Sequence, residues 1–483
     1  MRTEFLLGGE WISKEEKLPV IYPYTGEKIA EVSRATEEDV YKAIEVAKEG
    51  FKEISSLTPY ERYQILMKAA HILMRRSEEF AKTLVLEVGK TIREARTEVQ
   101  RAIQTLIFSA EEAKRIGGEV IPMDAHPNGK GKVGFYVRES VGIVSAITPF
   151  NFPLNLSMHK VAPALACGNG VILKPSERTP LTPLMLGEAL LEAGIPPKAL
   201  SILPGYGDVG KAMTIHPDVR VVSFTGSRKV GEIITRQSGI KKIVLELGSN
   251  SAIVLHKDGD LKKAVQKTLL GGFAIAGQVC ISVQRVFVHE DLFKEYLEEL
   301  EKAVSGLKVG DPMQEDTDVG PMISTLEVER VQEWIDEALK EGARLITGGV
   351  SCGDKVSSVL TPTIVSLVPP NTRLFKEEAF APVVVVNPYR EVEEAIRLVN
   401  DSEYGLQVGV FTRDISTAWE FIKGIKAGGV LINEGPNFRA DHMPYGGVKY
   451  SGIGREGPRF AVEDYTEIKM VVFDLDYPKN PIL

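Results

Sequence analysis

The chain has 483 residues, with 58 basic and 66 acidic side chains and a formal net charge of −8. That length exceeds one ordinary domain, so two or three are expected, and the acidic balance gives no support to a nucleic-acid partner. Three cysteines, Cys167, Cys280 and Cys352, cannot make a disulfide framework and form no CxxC pair, so a reducing compartment is expected and a structural zinc site is not. The first residues, MRTEFLLGGEWISKEEK, lack the apolar centre of a secretion signal. Apolar runs elsewhere break well before the roughly 18 residues of a membrane span, so a cytoplasmic protein without membrane contact is expected.

From Glu37 to about Gly118 apolar residues recur at three- and four-residue spacing, which predicts helices. Thr58, Pro59 and Glu61 form a start signal, and Thr91 with Glu94 repeats it. From Val141 the texture changes. Short β-rich runs at 141–147, 170–174, 199–204, 219–224 and 242–247 alternate with helical stretches such as 182–194. Strand, helix, strand at this spacing predicts a parallel sheet with crossover helices. A second α/β pattern follows Ser251, with a strand at 284–290, a long helix after it, and later strands near VVVVNP and GVLINE. The boundary falls near residue 247. The last run, TEIKMVVFDLD (466–476), reads as a strand that adds to a sheet of its own chain or of a partner.

Six short motifs stand at turns between these elements. GYGDVG (205–210) matches a pyrophosphate loop, but no acid follows at the next strand end, so its glycines are read as shaping a turn. SFTGS (223–227) ends a strand before a helix; Gly226 permits close approach and Ser227 is either a phosphate contact or an ordinary cap. LKPSE (173–177) sets Lys174 and Glu177 at a sheet's carboxyl edge, as ligand contacts or as a solvated loop. TPFNFPLNL (148–156) holds Asn151 between two phenylalanines; its amide is either satisfied by the fold or aimed at a developing oxyanion. LELGSNS (245–251) places Glu246 in an apolar run, either ion-paired or raised in pKa for use as a base. GQVC (277–280) places Cys280 among glycines with no histidine nearby in sequence, so by itself it reads as structural or as a nucleophile.

The ordered series TPFNFP, KPSE, FTGS, ELG, GQVC, EEAFAP, PYGGVKYSG resembles the aldehyde dehydrogenase superfamily over essentially the whole chain. Within it, AGQVCISV and NFRADHMPYGGVK are similar to archaeal-type lactaldehyde dehydrogenases, and SEYGLQ with IKMVVFD to non-phosphorylating glyceraldehyde-3-phosphate dehydrogenases. The resemblance implies an α/β fold: a Rossmann-like cofactor domain (1–118 and 138–246), an α/β catalytic domain (247–432), and a small β oligomerisation element (119–137 and 460–483). Residues 433–459 would be an active-site loop region returning to the cofactor domain, and the assembly a homodimer or homotetramer.

The resemblance also implies roles. Cys280 is the nucleophile, Glu246 the general base and Asn151 the oxyanion donor, oxidising a small aldehyde to the free acid through a thiohemiacetal and a thioester. Lys160 lies near the cofactor ribose, Lys174 and Glu177 contact the adenosine ribose, Ser227 the pyrophosphate, and Glu378 and Phe380 the nicotinamide end. Thr148, Pro149, Ser176, Gly207, Phe224, Gly226, Val230 and Leu247 complete the expected NAD site, with NADP also admissible. Phe152 and Arg439 are candidates for the substrate mouth. Ser249 and Ala381 depart from the family pattern, where glycine is usual. Val279 stands where some relatives place a basic residue, which favours a lactaldehyde-like substrate over a phosphorylated one; succinate semialdehyde and glyceraldehyde 3-phosphate are the alternatives. A cysteine hydrolase is the rival from another class, and it needs a histidine against Cys280.

Overall fold

The computed structural model describes residues 2–350 and 358–475; Cys352 and the end of the tail, 476–483, lie outside them. The helical region forms four helices, Glu37–Ser56, Pro59–Arg75, Ser77–Val88 and Ile92–Ala113. Both expected start signals are made. Thr58 N donates to Glu61 Oε2 at 2.7 Å, and Thr91 N donates to Glu94 Oε2 at 2.9 Å. Each such cap is worth about 1 kcal/mol.

Five parallel strands form the centre of an eight-stranded sheet, in the order Lys242–Glu246, Val219–Thr225, Ile143–Ile147, Gly170–Lys174, Leu200–Ile202. Ile143–Ile147 and Gly170–Lys174 are buried at every position, because helices cover both faces. That is why they read as continuous apolar runs rather than alternating ones. The chain enters at the central strand, builds outward on one side, and then crosses to Val219–Thr225. The strand order therefore reverses between Ile147 and Thr225, which is where such sheets bind ligands.

The edges of this sheet were not legible. Phe5–Leu7 and Glu10–Ile12 add antiparallel on one side, and Gly452–Ile453 adds antiparallel to Lys242–Glu246 on the other. Two- and three-residue strands are too short to show a period.

The second sheet has seven strands, ordered Arg344–Thr347, Thr363–Ser366, Val383–Tyr389, Arg285–His289, Ala252–Leu255, Gln407–Phe411, Gly429–Ile432; all pairings but the first are parallel. The tail strand, Thr466–Asp474, pairs with its own chain. It lies antiparallel to Lys132–Ser140, which also pairs with Glu119–Ile121. Among the described residues no helix is long and apolar enough to cross a membrane, and no acid, cysteine or histidine cluster could hold a metal ion.

Candidate active site

After Ile147 the chain leaves the first sheet as a loop that carries Asn151. Its side-chain amide is buried and donates to the Gln278 carbonyl at 2.8 Å. The loop is held from below by charge. Lys90 donates to the Asn151 carbonyl at 2.7 Å and pairs with Glu98, both side chains being fully enclosed. Glu98 in turn accepts from the amides of Leu154 at 2.9 Å and Asn155 at 3.0 Å. The Lys90 ammonium also lies 4.1 Å from the centre of the Phe152 ring. Nothing in the sequence marked Lys90 and Glu98, since a lysine in a link between helices and a glutamate on an amphipathic helix usually face water.

Cys280 sits on the turn between helix Leu261–Phe273 and strand Arg285–His289. This turn is strained. Ile275 and Ala276 are left-handed, with φ of 51° each, a conformation that is unusual for any residue with a Cβ and costs about 1–3 kcal/mol. Three contacts hold it there. Ile275 N donates to Glu94 Oε1 at 2.7 Å, and Gln278 Nε2 donates to the Ile275 carbonyl at 3.0 Å. Gly277, with φ of 71°, lies so close to the Ala381 carbonyl that a Cβ would overlap it. Helix Ile92–Ala113 thus grips both the Asn151 loop, through Glu98, and the Cys280 turn, through Glu94.

Asn151, Glu246 and Cys280 line one cavity of about 340 Å³. Cys280 also lines a smaller chamber of about 120 Å³ with Phe152, Val279, Arg439 and Tyr445. The thiol stands where the two spaces meet. A third cavity of about 450 Å³ shares Arg101, Phe152 and Ala274 with the small chamber. Burial pushes the Cys280 thiol up to about 11, against a 3.0 Å hydrogen bond with the Tyr445 hydroxyl and the nearby Arg439 cation. No histidine contacts the sulfur among the described residues. His159 is bonded to Asp441 at 3.0 Å and Arg439 at 3.1 Å, and burial holds it neutral with a pKa of about 4.

Glu246 is buried, and neither carboxylate oxygen has a hydrogen-bond partner. Burial raises its pKa well above the usual carboxylate range, and the negative Glu456 beside it adds to the shift. Glu456 keeps its charge because Lys160 at 2.9 Å and Arg439 at 3.0 Å both pair with it. Lys160 lines none of these cavities; it is enclosed beneath the site, bonded to Glu456 and to Ser223 Oγ at 3.2 Å. Its influence on the site is electrostatic, since its charge favours ionised Glu246.

The other expected cofactor residues do come together. Thr148, Pro149, Lys174, Ser176, Glu177, Gly207, Phe224, Gly226 and Val230 line a cleft of about 380 Å³ at the strand reversal. Pro149, Phe150, Thr225 and Gly226 join it to the cavity holding Cys280, where Ser227, Leu247, Glu378 and Phe380 are found. Gly207 opens helix Gly207–Ile215, so GYGDVG shapes a helix start. The Ser227 hydroxyl caps helix Arg228–Gln237 by accepting from Val230 N at 3.5 Å, yet the residue still faces the cavity. The cleft's donors suit a dinucleotide. Among the described residues Thr225 Oγ1 is buried without a partner, and Lys174 is buried with its pKa lowered by desolvation, its Nζ lying 4.0 Å from the Glu177 carboxylate. Burial lifts Glu378 to about 7.

The two departures from the family pattern leave the cleft intact. Ser249 turns its hydroxyl to Ser251 at 2.8 Å and donates its amide to Glu378 at 2.8 Å. Ala381 is enclosed in the core of the second sheet.

The profile of the aldehyde dehydrogenase family matches residues 11–471. The chain is 47% identical over 470 residues to a 3-sulfolactaldehyde dehydrogenase of Priestia megaterium, covering 97% of each. It is 41% identical over 472 residues to a lactaldehyde dehydrogenase of Methanocaldococcus jannaschii, covering 96% of this chain and 99% of that one. The structure is similar to glyceraldehyde-3-phosphate dehydrogenase GapN of M. jannaschii in complex with NADP, with a TM-score of 0.91, 41% identity, and coverage of 96% of this chain and 100% of that one. The chain belongs to the aldehyde dehydrogenase family: it is an oxidoreductase that oxidises a small aldehyde with NAD(P) as acceptor.

Proposed function

We propose that Cys280 is the nucleophile, Asn151 the oxyanion donor and Glu246 the base in oxidation of an aldehyde to a free carboxylic acid. The carrying observation is that all three line one cavity, at the end of the cleft that holds the expected cofactor residues. The Cys280 thiolate attacks the aldehyde carbon. The Asn151 amide, with the Cys280 backbone N–H, donates to the oxyanion that forms. A bound nicotinamide cofactor supplies the hydride acceptor. Oxidation of the adduct leaves a thioester on Cys280. Glu246, with both oxygens unpaired, takes a proton from the water that hydrolyses it. Residues 1–118 with 138–246 hold the cofactor in this reading, and 247–432 carry the nucleophile.

For substrate, we infer a short aldehyde with an anionic group at its far end. Arg439 supports this. It lines the small chamber, is enclosed, and its Nε has no partner. Arg101 lines the same chamber, already paired with Asp441 at 2.8 Å. Unmodified lactaldehyde is the second reading, favoured by the apolar wall of Phe152, Val279 and Ile281. A kinetic panel decides: succinate semialdehyde, 3-sulfolactaldehyde, glyceraldehyde 3-phosphate and lactaldehyde, each with NAD and NADP. An anionic substrate should exceed lactaldehyde by about tenfold or more in kcat/KM, about 1.4 kcal/mol. Equal or better turnover of lactaldehyde overturns the inference. NAD is the preferred cofactor in this reading, because the Glu177 carboxylate in the cleft disfavours a 2′-phosphate; a lower KM for NADP would overturn that.

We also propose that copies of the chain associate through the three-stranded sheet. Among the described residues one edge of strand Thr466–Asp474 has no neighbouring strand, and Ile468, Met470, Val472 and Phe473 of this strand are exposed. Such an edge invites pairing. Light scattering should give a dimer or tetramer of the 53.1 kDa chain; a monomer at micromolar concentration would refute this.

A further inference from the structure

The Tyr445 hydroxyl lies 3.0 Å from Cys280 Sγ. The residue is enclosed, with only 2% of its surface exposed. Its backbone is pinned by two hydrogen bonds with Glu456, Tyr445 N donating at 3.0 Å and Glu456 N donating at 2.7 Å. The Arg439 guanidinium carbon lies over its ring, 3.7 Å from the centroid. Neither residue can swing away without breaking these contacts.

We propose that Tyr445 is a catalytic residue whose hydroxyl donates a hydrogen bond to the Cys280 thiolate and so stabilises the ionised nucleophile. This rests on the reading of Cys280 as nucleophile. The direction of the bond follows from the chemistry. A thiolate can only accept, and a phenol this deeply buried stays protonated and can donate. The groups facing the sulfur make the donor necessary. Glu246 and Glu378 line the same cavity, and their charges oppose ionisation; Arg439 and Tyr445 favour it. Among the described residues no histidine contacts the sulfur to do the task. Arg439 also acts through Tyr445, since a cation over the ring makes its O–H a stronger donor. When Sγ bonds to the aldehyde carbon it loses its negative charge, and the hydrogen bond weakens. Tyr445 therefore keeps its proton throughout and contributes most before attack.

The test is Tyr445→Phe in the full-length enzyme. Phenylalanine keeps the ring under Arg439 and removes only the hydroxyl, so folding and cofactor affinity should hold. The readout is alkylation of Cys280 by iodoacetamide across pH, followed by the mass of the Cys280 peptide, with kcat/KM measured alongside. A hydrogen bond to a charged group is worth enough to move a pKa by about one to two units. The rise of alkylation rate with pH should therefore shift upward by that amount. The rate near pH 8 should fall about tenfold or more, with kcat/KM falling in step. An alkylation rate and pH dependence equal to the unsubstituted enzyme's would overturn the proposal. The two readings fail separately: retained turnover in Cys280→Ser overturns the nucleophile, whereas unchanged alkylation in Tyr445→Phe overturns only the role of the hydroxyl.

Discussion

Cys280→Ser is expected to lose aldehyde-dependent NADH formation by about four orders of magnitude or more, because a nucleophile and its activating set act as a unit. A serine hydroxyl in this position is far harder to ionise than a thiol, and the surroundings already oppose negative charge there: burial, with Glu378 and Glu246 adding, pushes the thiol up to about 11 in spite of Tyr445 and Arg439. Cofactor affinity should survive, since the cleft residues Lys174, Glu177 and Thr225 are untouched. Titration of NAD(P) by fluorescence together with a steady-state assay checks both halves. Retained turnover in Cys280→Ser would remove Cys280 from the mechanism. The same outcome would reopen the question of which group carries the acyl chain.

Glu246→Gln should separate two chemical steps. In the proposed mechanism attack and oxidation need Cys280 and Asn151, and hydrolysis of the thioester needs a base. The variant should release a burst of about one NADH per active site and then turn over roughly 10²- to 10⁴-fold more slowly. Rapid-mixing absorbance reads the burst directly. In the unsubstituted enzyme the same residue sets a pH dependence. Its pKa is raised by burial and by negative Glu456. Below that raised value Glu246 is protonated and cannot accept a proton, so turnover should fall as pH falls. The fall should begin nearer neutrality than an ordinary carboxylate would allow, and Glu246→Gln should abolish it. A full steady-state rate in Glu246→Gln would place the base elsewhere.

The contrast between Cys280 and Glu98 shows what a sequence can reveal. Cys280, Glu246 and Asn151 stand in short motifs at the ends of strands and turns, where the residue types are unusual for their surroundings. An acid inside KIVLEL and an asparagine between phenylalanines violate the expectation for buried positions, and that violation is visible in one dimension. Glu98 and Lys90 violate nothing. Lys90 stands just before helix Ile92–Ala113 and Glu98 stands on it, and only the packing of this segment against the Asn151 loop makes them internal. Tyr445 is intermediate. Its motif, PYGGVK, belongs to the series that marks the family, yet its nearness to Cys280, 165 positions away, is decided by the return of the chain to the first sheet at Gly452–Ile453. Lys160 is the reverse case. A lysine nine positions beyond Asn151 looks available for a ligand, but the helix Asn155–Ala166 turns it inward to Glu456.

By itself, then, the sequence determined the layering of the chain and named the candidate reacting groups. Periodicity reports which faces must be buried, and the motifs report residues that are costly to bury without a use. Only the tertiary structure decided which groups meet. Ion pairing of Lys160 and Arg439 with Glu456, the grip of helix Ile92–Ala113 on two loops, and the hydroxyl of Tyr445 at the sulfur all join residues distant in the chain. Such contacts leave no local trace, because electrostatic and hydrogen-bond energies depend on separations in space that the order of residues does not record.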